Sequence, residues 1–230
     1  MLGRLTLLAA LLGATGATAD VTAARYAEPT DRYTHGVLGD AIEFGALVMI
    51  VDGEEVLLRL PETHVFEDVA PRLIDIDQDG VHEVMVIETK MTEGARLSIY
   101  DGAGELVAAT PHIGRTNRWL APVGAADLDG DGHVEVAFVD RPHLAKTLRV
   151  WRYVDGDFTE VATLGGVTNH RIGEVDIAGG IRDCGNGPEM IVASANWARL
   201  VAVQLSGDLV ATDIGSHRGR DSFAVAMGCS

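Results

Sequence analysis

Aromatic residues make up only 5% of the 230-residue chain, cysteine occurs twice, and 18 lysines and arginines face 34 acids, for a formal charge of -16. With no basic run anywhere, nucleic acid and anionic membrane surfaces are poor candidates for the main partner. Beyond the N-terminus no stretch approaches the roughly 20 apolar residues of a spanning helix, so no membrane span is expected. Also missing are a Gly-x-Ser-x-Gly elbow, a phosphate-cradling Gly-Lys-Ser/Thr loop, a His-Glu-x-x-His pair and a Cys-x-x-Cys pair, which removes the commonest hydrolytic, nucleotide-binding and redox chemistries. What is present is a 47% hydrophobic fraction in short runs of Val, Leu, Ala and Ile, broken by 27 glycines. Short strands and tight turns fit that texture better than long helices.

Residues 1–19 combine Arg4, an apolar stretch from Leu5 to Ala14 and the small residues Ala17, Thr18 and Ala19. That layout predicts a signal peptide cleaved before Asp20, and a periplasmic or secreted protein. In such a compartment Cys184 and Cys229 are expected to form one disulfide.

A turn dipeptide preceded by an alternating apolar run recurs four times, at Gly53, Gly102, Gly156 and Gly207, with spacings of 49, 54 and 51 residues. Each marks a hairpin. Upstream of the last three lie further strand pairs: Arg72 to Ile76 with Val84 to Ile87, Val123 to Leu128 with Val134 to Val139, and Ile172 to Ile177 with Met190 to Ala193. Four short strands per roughly 50 residues is the period of a β-propeller blade. The expected fold is therefore all-β: residues 20–32 form an N-terminal tail, and residues 33–230 form a small closed propeller of four blades. Its C-terminal strand, Ser222 to Met227, closes the first blade. An open arc completed by a second copy and a five-bladed ring are the alternatives. Closure would join Cys184 and Cys229 across the first and fourth blades.

Two of the loops between first and second strands are rich in acid. Asp75, Asp77, Asp79 and Glu83 in one, and Asp127, Asp129, Asp131 and Glu135 in the other, fall at positions 1, 3, 5 and 9 with glycine at 6. With the carbonyl of Val81 or His133 at position 7, the hard oxygen donors suit Ca2+, and four carboxylates so close repel one another without a cation. An EF-hand requires Glu at position 12, where Val86 and Phe138 stand. The third such loop, Asp176 to Glu189, lacks acids at positions 3 and 5 and is expected to be metal-free.

These loops resemble those of the FG-GAP or VCBS repeat family of integrin-alpha-like propellers, with Glu in place of the commoner Asp at position 9. The resemblance implies a calcium-bearing propeller used in recognition or adhesion.

The connections entering each blade carry a second recurrent group: His64; Asn117 and Arg118; Asn169, His170 and Arg171; His217 and Arg218. In a closed ring these would gather at the channel mouth and receive an anionic ligand, more tightly as pH falls toward 6 if the histidines protonate. The functional expectation is an exported calcium-binding recognition module for a protein, glycan or anionic ligand. The alternative is an exported hydrolase or lyase using that His/Arg pocket.

Overall fold

The computed structural model describes residues 19–229; the expected signal peptide lies outside them apart from Ala19. Within this span the chain is built of antiparallel strands and one short helix, in four successive units that make three sheets, the first two units being joined into one of eight strands by the Phe44–Phe66 pairing. The first holds β1 (Val21–Thr30), β2 (Glu43–Val51) and β3 (Glu54–Arg59). The second holds β4 (His64–Phe66), β5 (Arg72–Ile74), β6 (Glu83–Lys90), β7 (Gly94–Tyr100) and β8 (Leu106–Ala109). The third holds β9 (Leu120–Ala126), β10 (Glu135–Asp140), β11 (Thr147–Val154) and β12 (Asp157–Gly165). The fourth holds β13 (Val167–Thr168), β14 (Gly180–Asp183), β15 (Pro188–Ser194), β16 (Arg199–Ser206) and β17 (Asp208–Ser216), followed by α1 (Arg220–Met227).

The four expected hairpins are β2–β3, β7–β8, β11–β12 and β16–β17. At Asp52-Gly53 and Asp155-Gly156 both turn residues have positive φ, 51° and 84° in one and 49° and 91° in the other. Two-residue hairpins favour this geometry because its twist matches that of the strands. The first strand of a unit is interrupted twice: β4 and β5 both pair with β6, and β13 and β14 both pair with β15. In the third unit β9 stays continuous and absorbs the same irregularity as a bulge at Val123, opposite the Ala137–Phe138 step of β10.

Strands β2, β6 and β10 are buried almost from end to end, whereas β3, β12 and β17 are largely exposed. The reason is that neighbouring sheets stack face to face and the last strand of each unit lies at the outer edge. Core clusters accordingly fall between units. Leu47, Met49 and Phe66 meet Val84 and Val86; Ile87, Leu97 and Ile99 meet Trp119, Val136 and Phe138; Val139, Leu148 and Val150 meet Met190, Val192 and Val203.

The structure corrects three expectations. The C-terminal segment is a helix, not a closing strand: Phe223 and Ala226 are buried against Ile191, Ala193, Leu200 and Ala202, so α1 covers the free face of the fourth unit. The run Phe-Ala-Val-Ala-Met satisfies alternation and helical spacing alike, and Val225 is left 56% exposed by the helical choice. Ile172 to Ile177 is not a strand, and Ile172 and Val175 are exposed. Its place is taken by β14, behind Gly179, where a Cβ would sit 1.9 Å from the Ile191 carbonyl oxygen. Lastly, the expected tail contains β1, which pairs with β2 along most of its length. Among the described residues no sheet closes on itself; Gly173 of the fourth unit reaches the first by donating its amide to the Val37 carbonyl (3.1 Å).

The Cys184–Cys229 disulfide is formed, with Cα atoms 5.5 Å apart. It joins the end of β14 to the residue beyond α1 and so pins the helix to the fourth unit.

Candidate functional site

Both acidic loops connect a first strand to a second, β5 to β6 and β9 to β10, and both fold by the same hydrogen bonds. The acid at position 1 accepts the amide of the position-6 glycine: Asp75 from Gly80 and Asp127 from Gly132, each 3.0 Å. The position-5 acid caps its own turn, Asp79 taking the Val81 amide (2.8 Å) and Asp131 the His133 amide (3.0 Å). The position-9 glutamate, buried at the start of the second strand, reaches back to the position-2 amide, Glu83 to Ile76 (3.0 Å) and Glu135 to Leu128 (2.8 Å). The outcome is that Asp75, Asp77 and Glu83 bring ligand oxygens within 4.8 Å of one another, as do Asp127, Asp129 and Glu135. Gln78 ties the loops together by donating to the Gly132 carbonyl (3.1 Å). A cleft of about 390 Å³ lined by Asp77, Gln78, His133 and Tyr153 lies between them.

Their electrostatics differ. Asp75 Oδ1 is buried and has no hydrogen-bond partner. Burial pushes the Glu83 carboxyl up, the Ile76 amide opposes this, and the charges of Asp77, Asp79 and Asp75 push it further. A divalent cation fits this unbalanced set of hard oxygens. In the second loop the guanidinium of Arg152 on β11 contacts Asp129 and Asp131 at 2.6 Å and Glu135 at 2.5 Å. Sequence reasoning missed Arg152 because it lies in another strand; its signal is the alternation of β11 next to the loop's glutamate.

In the fourth unit the short connection between β14 and β15 carries the disulfide. Its acids are engaged: Asp183 accepts the Gly185 amide (2.7 Å), Glu189 pairs with Arg182 (3.2 Å), and Asp176, outside this connection, pairs with Arg220 (2.8 Å). The loop is therefore much shorter than the expected Asp176 to Glu189 span.

The residues expected at a channel mouth are divided among three places. His64 faces Glu88 (3.8 Å) and the ring of His112. Arg171 stacks over Trp197 (4.3 Å), whose ring also meets His217, while Arg218 lines a groove beside α1. Asn117, Arg118 and His170 cluster about Trp119, and buried Asn169 donates to the Ala121 and Pro122 carbonyls.

The third place is a cleft of about 260 Å³ lined by His35, Asn117, Arg118, Trp119, Arg141 and His143, among others. His35 was not anticipated. His35 Nδ1 is 2.5 Å from Oε1 of fully buried Glu67, whose other oxygen accepts from Thr89 (2.6 Å); the Trp119 indole donates to the Glu67 carbonyl (2.7 Å). Opposite this pair, His170 Nε2 lies 2.9 Å from the Glu174 carbonyl and its Nδ1 2.9 Å from His143 Nε2. A carbonyl only accepts, so His170 carries its proton on Nε2, and His143 donates to His170 Nδ1. Burial, helped by His170, pushes His143 down to about 4, so it is neutral at pH 7 and keeps a lone pair on Nδ1. Burial also lowers His64 and His170. Burial of these two rings thus opposes the expected gain in cationic donors as pH falls.

Residues 75–138 match the family model described as FG-GAP-like repeat. The chain carries an FG-GAP-like repeat. The matched segment opens on Asp75 and runs through both acidic loops to Phe138 in β10. No curated protein matches the chain. Among the described residues no helix is long and apolar enough to cross a membrane.

Proposed function

We propose that the protein is an exported, calcium-stabilised recognition module whose FG-GAP-like repeat organises a ligand cleft on a propeller-like scaffold. The Asp75 loop holds Ca2+ through Asp75, Asp77 and Glu83, with Asp79 and the Val81 carbonyl available to fill out the six or more oxygens that this ion takes. The observation that carries the calcium reading is the buried, unpartnered Oδ1 of Asp75 within a cluster of three carboxylates. Metal analysis of protein purified without chelator should find calcium, and chelation should lower the melting temperature, since an ion bound only by the folded state stabilises it by mass action. Absence of calcium, together with no thermal shift in millimolar calcium, would end this reading.

The cleft beside Trp119 is the proposed recognition site for a protein, glycan or small-molecule group bearing negative charge, because Arg118 lines it together with Arg141, whose guanidinium is held in place by Asp140. A second reading, hydrolase or lyase chemistry, draws support from the Glu67–His35 pair, since a carboxylate-held imidazole suits a general base. A His35→Ala variant that binds the natural ligand as wild type but fails to turn it over would establish the second reading; unchanged ligand would retain the first.

A further inference from the structure

We propose that Arg152 is the resident cation of the Asp127 loop, so that the protein holds one Ca2+, in the Asp75 loop, where its two similar loops promise two. The site in the Asp75 loop rests on the reading above; the role of Arg152 does not.

The two loops share spacing, the position-6, position-7 and position-2 amide hydrogen bonds and a three-carboxylate cluster, but Asp127 Oδ1 accepts the Gly130 and Asp131 amides where Asp75 Oδ1 has no partner. A second difference lies across the neighbouring strand. In the third unit Glu135 pairs directly with Arg152. In the second unit Val84 pairs with Tyr100, which puts Asp101 next to Glu83 in the same alignment. One loop thus faces an arginine and the other an aspartate, and that aspartate is turned into its own hairpin, accepting the amides of Ala103 (2.9 Å) and Glu105 (2.8 Å).

The guanidinium reaches Asp129 with Nη2, Asp131 with Nη1 and Glu135 with Nε. What remains is Asp127, and both its oxygens are committed to amides, Oδ1 to Gly130 (2.8 Å) and Asp131 (3.1 Å), Oδ2 to Gly132 (3.0 Å). Each acid of this loop therefore has a partner, and the Glu135 side chain is fully buried beneath the arginine. Arginine stays charged at every physiological pH, and its fork matches carboxylates better than a point charge does. Tethered to the adjacent strand, it competes at the effective concentration of an intramolecular partner, which a free ion must exceed. To enter, Ca2+ would have to expel a cation that already satisfies three carboxylates and would gain fewer free oxygens than in the Asp75 loop.

Calcium stoichiometry of the full protein, measured by equilibrium dialysis against micromolar to millimolar calcium, tests this. Wild type should take up one ion per chain and Arg152→Gln two. Two ions on wild type, or no gain in Arg152→Gln, would overturn the proposal. Asp131→Asn in the wild-type background supplies a check that does not depend on the arginine variant folding: calcium content should stay the same, and a loss of one ion would likewise overturn it. Zero ions on wild type with a gain of one in Arg152→Gln would uphold the role of Arg152 while disproving calcium in the Asp75 loop.

Discussion

Asp75 and Glu43 are single residues on which the chemistry of the molecule turns. Asp75 offers the oxygen without a partner, so Asp75→Asn should weaken calcium binding by at least about tenfold, read by calorimetric titration, because charge count and oxygen donors set affinity in such loops. Glu43 is buried, and burial, with Glu67, Asp40 and Asp68 nearby, raises its carboxyl to about 9. The folded state then keeps a proton that the unfolded chain gives up above its ordinary value of 4.5. A raised folded value means that the contribution is complete below the unfolded pKa and is lost as pH rises through the folded one. Stability should therefore decline between roughly pH 5 and 9, by at most about 1.4 kcal/mol per pH unit from this group. Glu43→Gln should flatten that decline in urea titrations across the window; an unchanged slope would show that Glu43 does not hold a proton.

At the scale of elements, α1 and the fourth unit depend on each other. The disulfide closes a separation of 45 residues, which in the chain-entropy account is worth about 4 kcal/mol and in practice typically about 2–4. Replacing both cysteines with serine should lower the melting temperature by roughly 6–12 °C without changing the calcium content. Phe223→Ala empties the space beneath the helix and should cost about 3 kcal/mol in the oxidised protein, measured by denaturant unfolding. The cysteine pairing was legible in the sequence, yet the reason was not. The sequence puts Cys229 just beyond a strand closing the first unit, whereas it follows a helix docked on the fourth. Both placements bring it to Cys184, because in each the C-terminus ends beside the connection between β14 and β15.

Across the whole molecule, the largest shared core clusters tie the second unit to the third and the third to the fourth. The Gln78–Gly132 hydrogen bond links the two acidic loops across the first of these seams. Calcium added to chelated protein should thus slow amide exchange in Ile76 to Glu83 and along the seam with the third unit, and leave Gly185 to Gly187 unaffected. Equal protection throughout would mean that the ion stabilises the molecule globally rather than at its loop.

The sequence by itself determined the features that depend on near neighbours: the four hairpins at Gly53, Gly102, Gly156 and Gly207, the all-β architecture, and the bend that lets Asp75, Asp77 and Glu83 converge. Turn dihedrals, strand alternation and loop spacing act within a few residues, so a linear reading recovers them. Only the tertiary structure decided what lies opposite those elements. It set Arg152 against one acidic loop and Asp101 beside the other, made Ser222 to Met227 a helix because an uncovered sheet face needed burying, and brought His35 of the first unit, with Glu67 behind it, to one cleft with Trp119 and His143 of the third. Cross-strand register and face-to-face packing join residues far apart in the chain, and their energies depend on partners that no local pattern names.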